Sequence, residues 1–401
     1  MRTRAVVLSV LLLVAVVGPA AGAATAGSAT TVFDDHASDA QQSPTCSFPY
    51  TATDAIGAEV TLDADPERVV TLNPSAAQTM WEIDAREEVV GVSQYAAYLE
   101  GVDSGDRVNV SGASGPSVER VLAADPDLVL VPNSTHGLAA DRVAQVREQG
   151  VPVFVLGQAT SLAAVADKTE RIGRLTGNCE AGVARAAEMR RSLEAMDEAL
   201  AGETRPVALN VFHGYTSGAD TFIGDVMVRG GVRNGAAEAG VTGFQRLNDE
   251  TVVELDPQWI VAPAGSPVPE NEAYNSTTAV REGNVVRVNT NHLQQPAPRS
   301  VLAAETVLAQ VHPDAYEEYQ TLARESQEGT ADASTGGGAD AASGATTSEA
   351  ERTEAATSGS SATVQTDAPA TTDTGTPGFG PAVTAVAITA VALLAARRDW
   401  R

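Results

Sequence analysis

Between residues 179 and 200 the apolar positions Ala186, Met189, Leu193, Met196 and Leu200 recur at steps of three and four, while Arg185, Glu188, Arg190, Arg191, Glu194 and Glu198 mostly fall elsewhere on the helical wheel. The pattern predicts one helix with a narrow buried stripe, capped by Asn178 and stopped near Gly202. At about 1.5 Å per residue it is a rod of about 33 Å. Upstream the period changes. Short continuous apolar runs at 69–72, 89–92, 128–131 and 153–156 alternate with helical stretches at 76–83, 118–124 and 139–149. Unbroken apolar strands separated by helices predict a parallel sheet covered on both faces. A further helical stretch, 162–176, is expected to return over this lobe.

The same blocks then recur in order. RVVTLN (68–73), VERVLAADPDLVLVP (118–132) and VREQGVPVFVL (146–156) are followed, beyond the predicted helix, by RPVALN (205–210), DETVVELDPQWIVAP (249–263) and VREGNVVRV (280–288). Glu119 matches Glu250, Asp125-Pro126 matches Asp256-Pro257 and Pro132 matches Pro263, all at one constant offset. The predicted fold is therefore α/β: two similar lobes with parallel sheets, residues 46–177 and 203–325, joined by a single long helix at 178–202. The second lobe is expected to close with helices at 299–310 and 313–324. In such sheets ligands bind beyond the carboxyl ends of the strands.

Charge narrows the partners: a formal net charge of −26, with 52 acidic and 26 basic residues, argues against nucleic acid or anionic lipid. Lys168 is the only lysine, and an acidic, Arg-biased surface suits high salt, although GC-rich coding gives the same bias. Residues 1–24 have the basic start, apolar run and small residues of a secretory signal, which places the mature chain outside the cytoplasm. There the two cysteines, Cys46 and Cys179, predict a disulfide, the alternative being two unrelated buried thiols. Residues 25–45 and the Ala/Thr/Ser/Gly-rich stretch 326–376 are expected to be disordered, the latter a solvated stalk. An apolar segment at 377–401, ending in arginines, is expected to anchor the chain in a membrane. Asn109, Asn133 and Asn275 head N-glycosylation patterns.

The predicted strand-end loops carry Asn73, Ser75, Tyr95, Asn133, His213, Tyr215, Phe244, Asn289 and Asn291. Amides, hydroxyls and aromatics converging from two lobes suit a polyfunctional, largely neutral ligand held by hydrogen bonds and stacking. No nucleophile with its base is apparent, and no P-loop, G-x-S-x-G or H-E-x-x-H pattern occurs, so catalysis is not expected. His136, His213 and His292 each follow a repeated strand, which keeps open a haem or metal-ion receptor, or a secreted metal-dependent hydrolase using the same cleft.

Residues 46–325 resemble the periplasmic binding proteins of ABC importers with one helical connection, the cobalamin and ferric siderophore group. The resemblance rests on RVVTLNPSAAQTMWEI (68–83), VVGVSQYAAYLEG (89–101), VERVLAADPDLVLVP, TSGADTFIGDVMVRGGVRN (216–234), FQRLNDETVVELDPQWIV (244–261) and PRSVLAAETV (298–307). It implies a monomeric receptor without cofactor that carries a corrinoid or ferric chelate to a permease and its ATPase. Tyr95 and Phe244 match aromatic ligand contacts of the cobalamin binders and the loop 213–215 falls where another is expected, whereas no aromatic occurs near Ser111 or at Pro132. Such receptors dock on the permease through one surface glutamate per lobe; Glu250 matches in the second lobe, and in the first Gln78 stands at the expected place with Glu82 one turn on. Pro377-Gly378-Phe379 followed by an apolar run and terminal arginines resembles the PGF-CTERM sorting signal of haloarchaeal surface proteins, which implies exchange of the tail for a lipid anchor; the alternative is a plain membrane helix.

Overall fold

Two parallel sheets, each wrapped by its own helices, make up the body of the computed structural model, which describes residues 46–335 apart from position 106. The secretory signal, the N-terminal tail, the stalk beyond residue 335 and the C-terminal anchor lie outside the described residues. Among the described residues no helix is long and apolar enough to cross a membrane.

The first sheet runs Val108–Asn109, Val89–Val92, Val69–Thr71, Leu128–Pro132, Val153–Leu156, every neighbour parallel. Its central strands are buried along their length because helices cover both faces. A hairpin, Tyr50–Thr53 with Glu59–Leu62, precedes it. The buried carboxylate of Asp54 fixes that hairpin's turn to the sheet, accepting from the amides of Ile56, Ala58 and Val155 and from Arg147.

The second sheet runs Arg233–Asn234, Val207–Asn210, Trp259–Pro263, Val285–Val288, again all parallel. The repeat extends to backbone detail. Helix Val118–Ala123 is capped by Ser117 and helix Asp249–Leu255 by Asn248; each is followed by an aspartate in the left-handed region, Asp125 at φ 49° and Asp256 at φ 37°, and then by a proline and a buried strand.

Helix Cys179–Ala199 links the lobes, and all five residues of its expected stripe, Ala186, Met189, Leu193, Met196 and Leu200, are buried. Asn178 occupies its cap position without capping it: the amide instead donates to both oxygens of Glu88 and to the carbonyl of Thr176. Helix Leu162–Leu175 does more than return over the first lobe. Its first half, Leu162, Val165 and Ala166, shares a core with Met189, Val226 and Val261, while Ile172 and Leu175 belong to the first-lobe core. The two helices touch at Gly173 and Gly182, where a Cβ on Gly173 lies 2.8 Å from the Cα of Gly182, so neither position has room for a side chain. A disulfide, Cys46–Cys179, closes the first lobe with its Cα atoms 5.5 Å apart.

Helices Val301–Val311 and Pro313–Thr335 complete the second lobe. The last begins where expected but continues past 326, the predicted start of the stalk. Tyr319, buried and donating to Glu305 at 2.6 Å, docks its first half, and extending a helix already nucleated costs far less than starting one.

Candidate ligand cleft

The carboxyl ends of the strands position most of the candidate residues, but not all are left free for a ligand. Asn73 caps helix Pro74–Glu82, its Oδ1 accepting from the Ser75 amide at 2.7 Å, and Ser75 is only 2% exposed. Asn289 caps helix Thr290–Gln294 in the same way, accepting from the amides of Asn291 and His292. Asn133, expected in a loop, is the first residue of helix Asn133–Glu148, which kinks at Ala139; strand Leu128–Pro132 passes into it directly. Of the pattern asparagines, Asn109 and Asn275 are exposed and Asn133 is half-buried.

The aromatics are arranged differently. Among the described phenylalanines, tyrosines and tryptophans only Tyr95, at 44%, and Phe244, at 36%, are exposed. Tyr95 sits in the turn after strand Val89–Val92, held by a bond from the Gln94 amide to Ser111 Oγ at 2.9 Å. Phe244 lies in a short strand, Phe244–Gln245, paired antiparallel to Thr216–Ser217 just beyond strand Val207–Asn210. Between them in the chain, His213 at φ 49° and Gly214 at φ 76° form a tight turn that bridges Phe212 to Tyr215. A non-glycine residue in that region is strained, and such positions concentrate at functional loops. The buried Asn210 holds the turn's return from below, accepting from Ser217 Oγ at 2.8 Å and donating to the Val261 carbonyl.

Gln78 and Glu82 are not surface groups. Gln78 is fully buried, donating to the Tyr98 hydroxyl at 2.9 Å and accepting from the Arg299 amide at 3.0 Å. Glu82 accepts from Arg299 Nε at 2.7 Å and from two nitrogens of Arg185 at 3.0 and 3.1 Å. Helix Pro74–Glu82, the linker helix and the second lobe therefore meet in one latch. Lys168 adds a second point, its Nζ donating to the Pro296 carbonyl, and Asp225 a third, accepting from the Leu162 amide at 2.7 Å. The segment that carries Asn289 and Asn291 is thus fastened to helices outside its own lobe. Burial and then the nearby Arg299 charge hold His292 below the ordinary histidine range, which favours its neutral ring.

One further acid, matched to Glu250 by the repeat, lies at the surface of the first lobe. Glu119 is exposed in the first turn of helix Val118–Ala123, as Glu250 is in helix Asp249–Leu255. The constant offset of the repeat already paired them. The three histidines are not brought together: among the described residues no group of three or more histidine, cysteine or acidic side chains is placed to hold a metal.

The periplasmic binding protein pattern matches residues 69–291. The chain belongs to the periplasmic binding protein family. A cobalamin-binding protein of Halobacterium salinarum is 45% identical over 271 residues, covering 64% of this chain and 72% of that one. An uncharacterized ABC transporter substrate-binding lipoprotein of Bacillus subtilis is 27% identical over 281 residues, covering 68% and 88%. Among solved structures, the periplasmic vitamin B12 binding protein of Vibrio cholerae superposes with a TM-score of 0.52 at 21% identity, over 62% of this chain and 98% of that one, a likeness of fold. Members of this family are extracytoplasmic solute-binding components of ABC importers rather than enzymes. The PGF-CTERM motif at residues 376–398 makes this binding protein one anchored at the archaeal cell surface.

Proposed function

We propose that this binding protein captures a corrinoid between its lobes, stacked against Tyr95 and Phe244, and delivers it without chemical change to the permease of an ABC importer. The observation that carries the reading is the pair of exposed aromatics, one at the carboxyl end of each sheet. Exposed aromatic surface is unfavourable in an empty receptor and is repaid when a flat apolar ligand covers it. The cobalamin-binding relative at 45% identity supports a corrinoid over a ferric chelate. Glu119 and Glu250, exposed and repeat-matched, are the groups by which the receptor meets its permease.

Thermal unfolding against cobalamin, cobinamide, ferric hydroxamates and haem tests the ligand. A ligand present at 100 times its dissociation constant adds about 2.7 kcal/mol of stability. A rise in melting temperature with a corrinoid alone is expected. A rise only with a ferric chelate or haem replaces the corrinoid reading.

A further inference from the structure

Arg246 follows Phe244 by two residues, one past the end of the short strand Phe244–Gln245 beyond the carboxyl end of the second sheet. Both side chains are exposed. The guanidinium carbon of Arg246 stands 4.7 Å from the centroid of the Tyr215 ring. Backed on an aromatic face, a planar cation is already oriented and loses little freedom when it binds.

It has no acid partner. Arg246 makes no hydrogen bond or ion pair among the described residues. Other guanidiniums near the strand ends are engaged: Arg142 on Ser114, Arg287 on the Ser266 carbonyl and Arg299 on Glu82. The remaining arginines without a polar partner, Arg171, Arg174 and Arg191, belong to the two helices that connect the lobes, not to strand-end loops. In a chain with twice as many acidic as basic residues, Arg246 is left without a carboxylate partner.

We propose that Arg246, backed by Tyr215 and flanked by Phe244, is the subsite for an anionic group on the rim of the ligand, a phosphodiester or a carboxylate. The fork of the guanidinium matches either group with two parallel hydrogen bonds. The assignment rests on the proposed reading of the cleft as the ligand site and adds the charge that its ligand carries. Contact is required: at molar salt the screening length is about 3 Å, so an arginine merely near the ligand contributes nothing.

The test uses two ligand pairs, haem with its dimethyl ester, which differ only in the charge of the carboxylates, and cobalamin with cobinamide, which lacks the phosphodiester together with the ribose and base it carries. Affinities are measured by titration for the wild type, Arg246→Gln and Arg246→Lys. Arg246→Gln is expected to weaken the anion-bearing member at least tenfold and its counterpart less than twofold, with Arg246→Lys recovering part of the loss. Equal loss within a pair, or no loss, overturns the subsite. If the wild type binds neither corrinoid, the corrinoid reading falls while the haem pair still judges Arg246. If it binds neither cobalamin nor haem, the subsite is overturned as well. Arg246 is exposed, so an unchanged melting temperature of the free variants is expected and shows that both fold.

Discussion

Glu82→Gln keeps the side chain's shape and removes its charge, and so separates a latch from a docking group. In the folded chain Glu82 is 17% exposed and faces Arg185 at 18% and Arg299 at 29%. Hydrogen bonds to charged groups contribute about 1.5–3 kcal/mol each net of water. Two partners would give about 3–6 kcal/mol, but the amide retains one acceptor oxygen and the arginines stay partly wetted, so the expected loss is about 2–4 kcal/mol. At a urea slope of about 3 kcal/mol per molar this lowers the unfolding midpoint by on the order of 1 M. Ligand affinity should also fall, since Arg299 follows the loop carrying Asn289 and Asn291 by a few residues. A variant that unfolds within 0.5 kcal/mol of wild type yet fails to support transport would refute the latch and return Glu82 to the docking surface.

Three further outcomes are expected. Replacing both Cys46 and Cys179 with serine frees a loop defined by a sequence separation of 133, which in the chain-entropy account costs about 5 kcal/mol; a midpoint unchanged in denaturant would show that the bridge constrains nothing. Glu119→Arg and Glu250→Arg should each impair uptake by whole cells while leaving the dissociation constant of the ligand unchanged, and a weakened ligand would move that residue into the cleft. Burial pushes Lys168 down to about 8, below its unfolded value, so the unfolded chain binds more protons between about pH 8 and 10.5 and stability should rise with pH across that window, by about 3 kcal/mol in full. The Pro296 carbonyl accepts from the charged or the neutral amine alike, and Lys168→Met should flatten the profile; an unchanged slope assigns the effect elsewhere.

The strands were legible because burial on both faces forces unbroken apolar runs: 89–92 and 153–156 match the observed limits, and the repeat placed Trp259–Pro263 from Leu128–Pro132. Val108–Asn109 was not, since an exposed two-residue edge strand needs no such pattern. Helix Leu162–Leu175 shows a second limit. Its apolar positions mark it as buried, but not that Leu162 and Leu175 face the cores of different lobes. Asn178 has the right residue type for a cap, and Glu88, far away in sequence, competes successfully for its amide. Gln78 and Glu82 illustrate the same difficulty in the candidate site. Their partner Arg299 lies 221 and 217 residues away, and no wheel or spacing argument tells an acid that meets an arginine from one that meets water. Glu119 was within reach of the repeat alone.

The Cys46–Cys179 bridge encloses the first sheet and none of the second. A chain that crosses the membrane amino end first presents both thiols before residue 207, where the second sheet begins, has emerged. Covalent closure of the first half thus needs no residue of the second, whereas the Gln78 and Glu82 contacts wait on Arg299, 221 and 217 residues further along the chain.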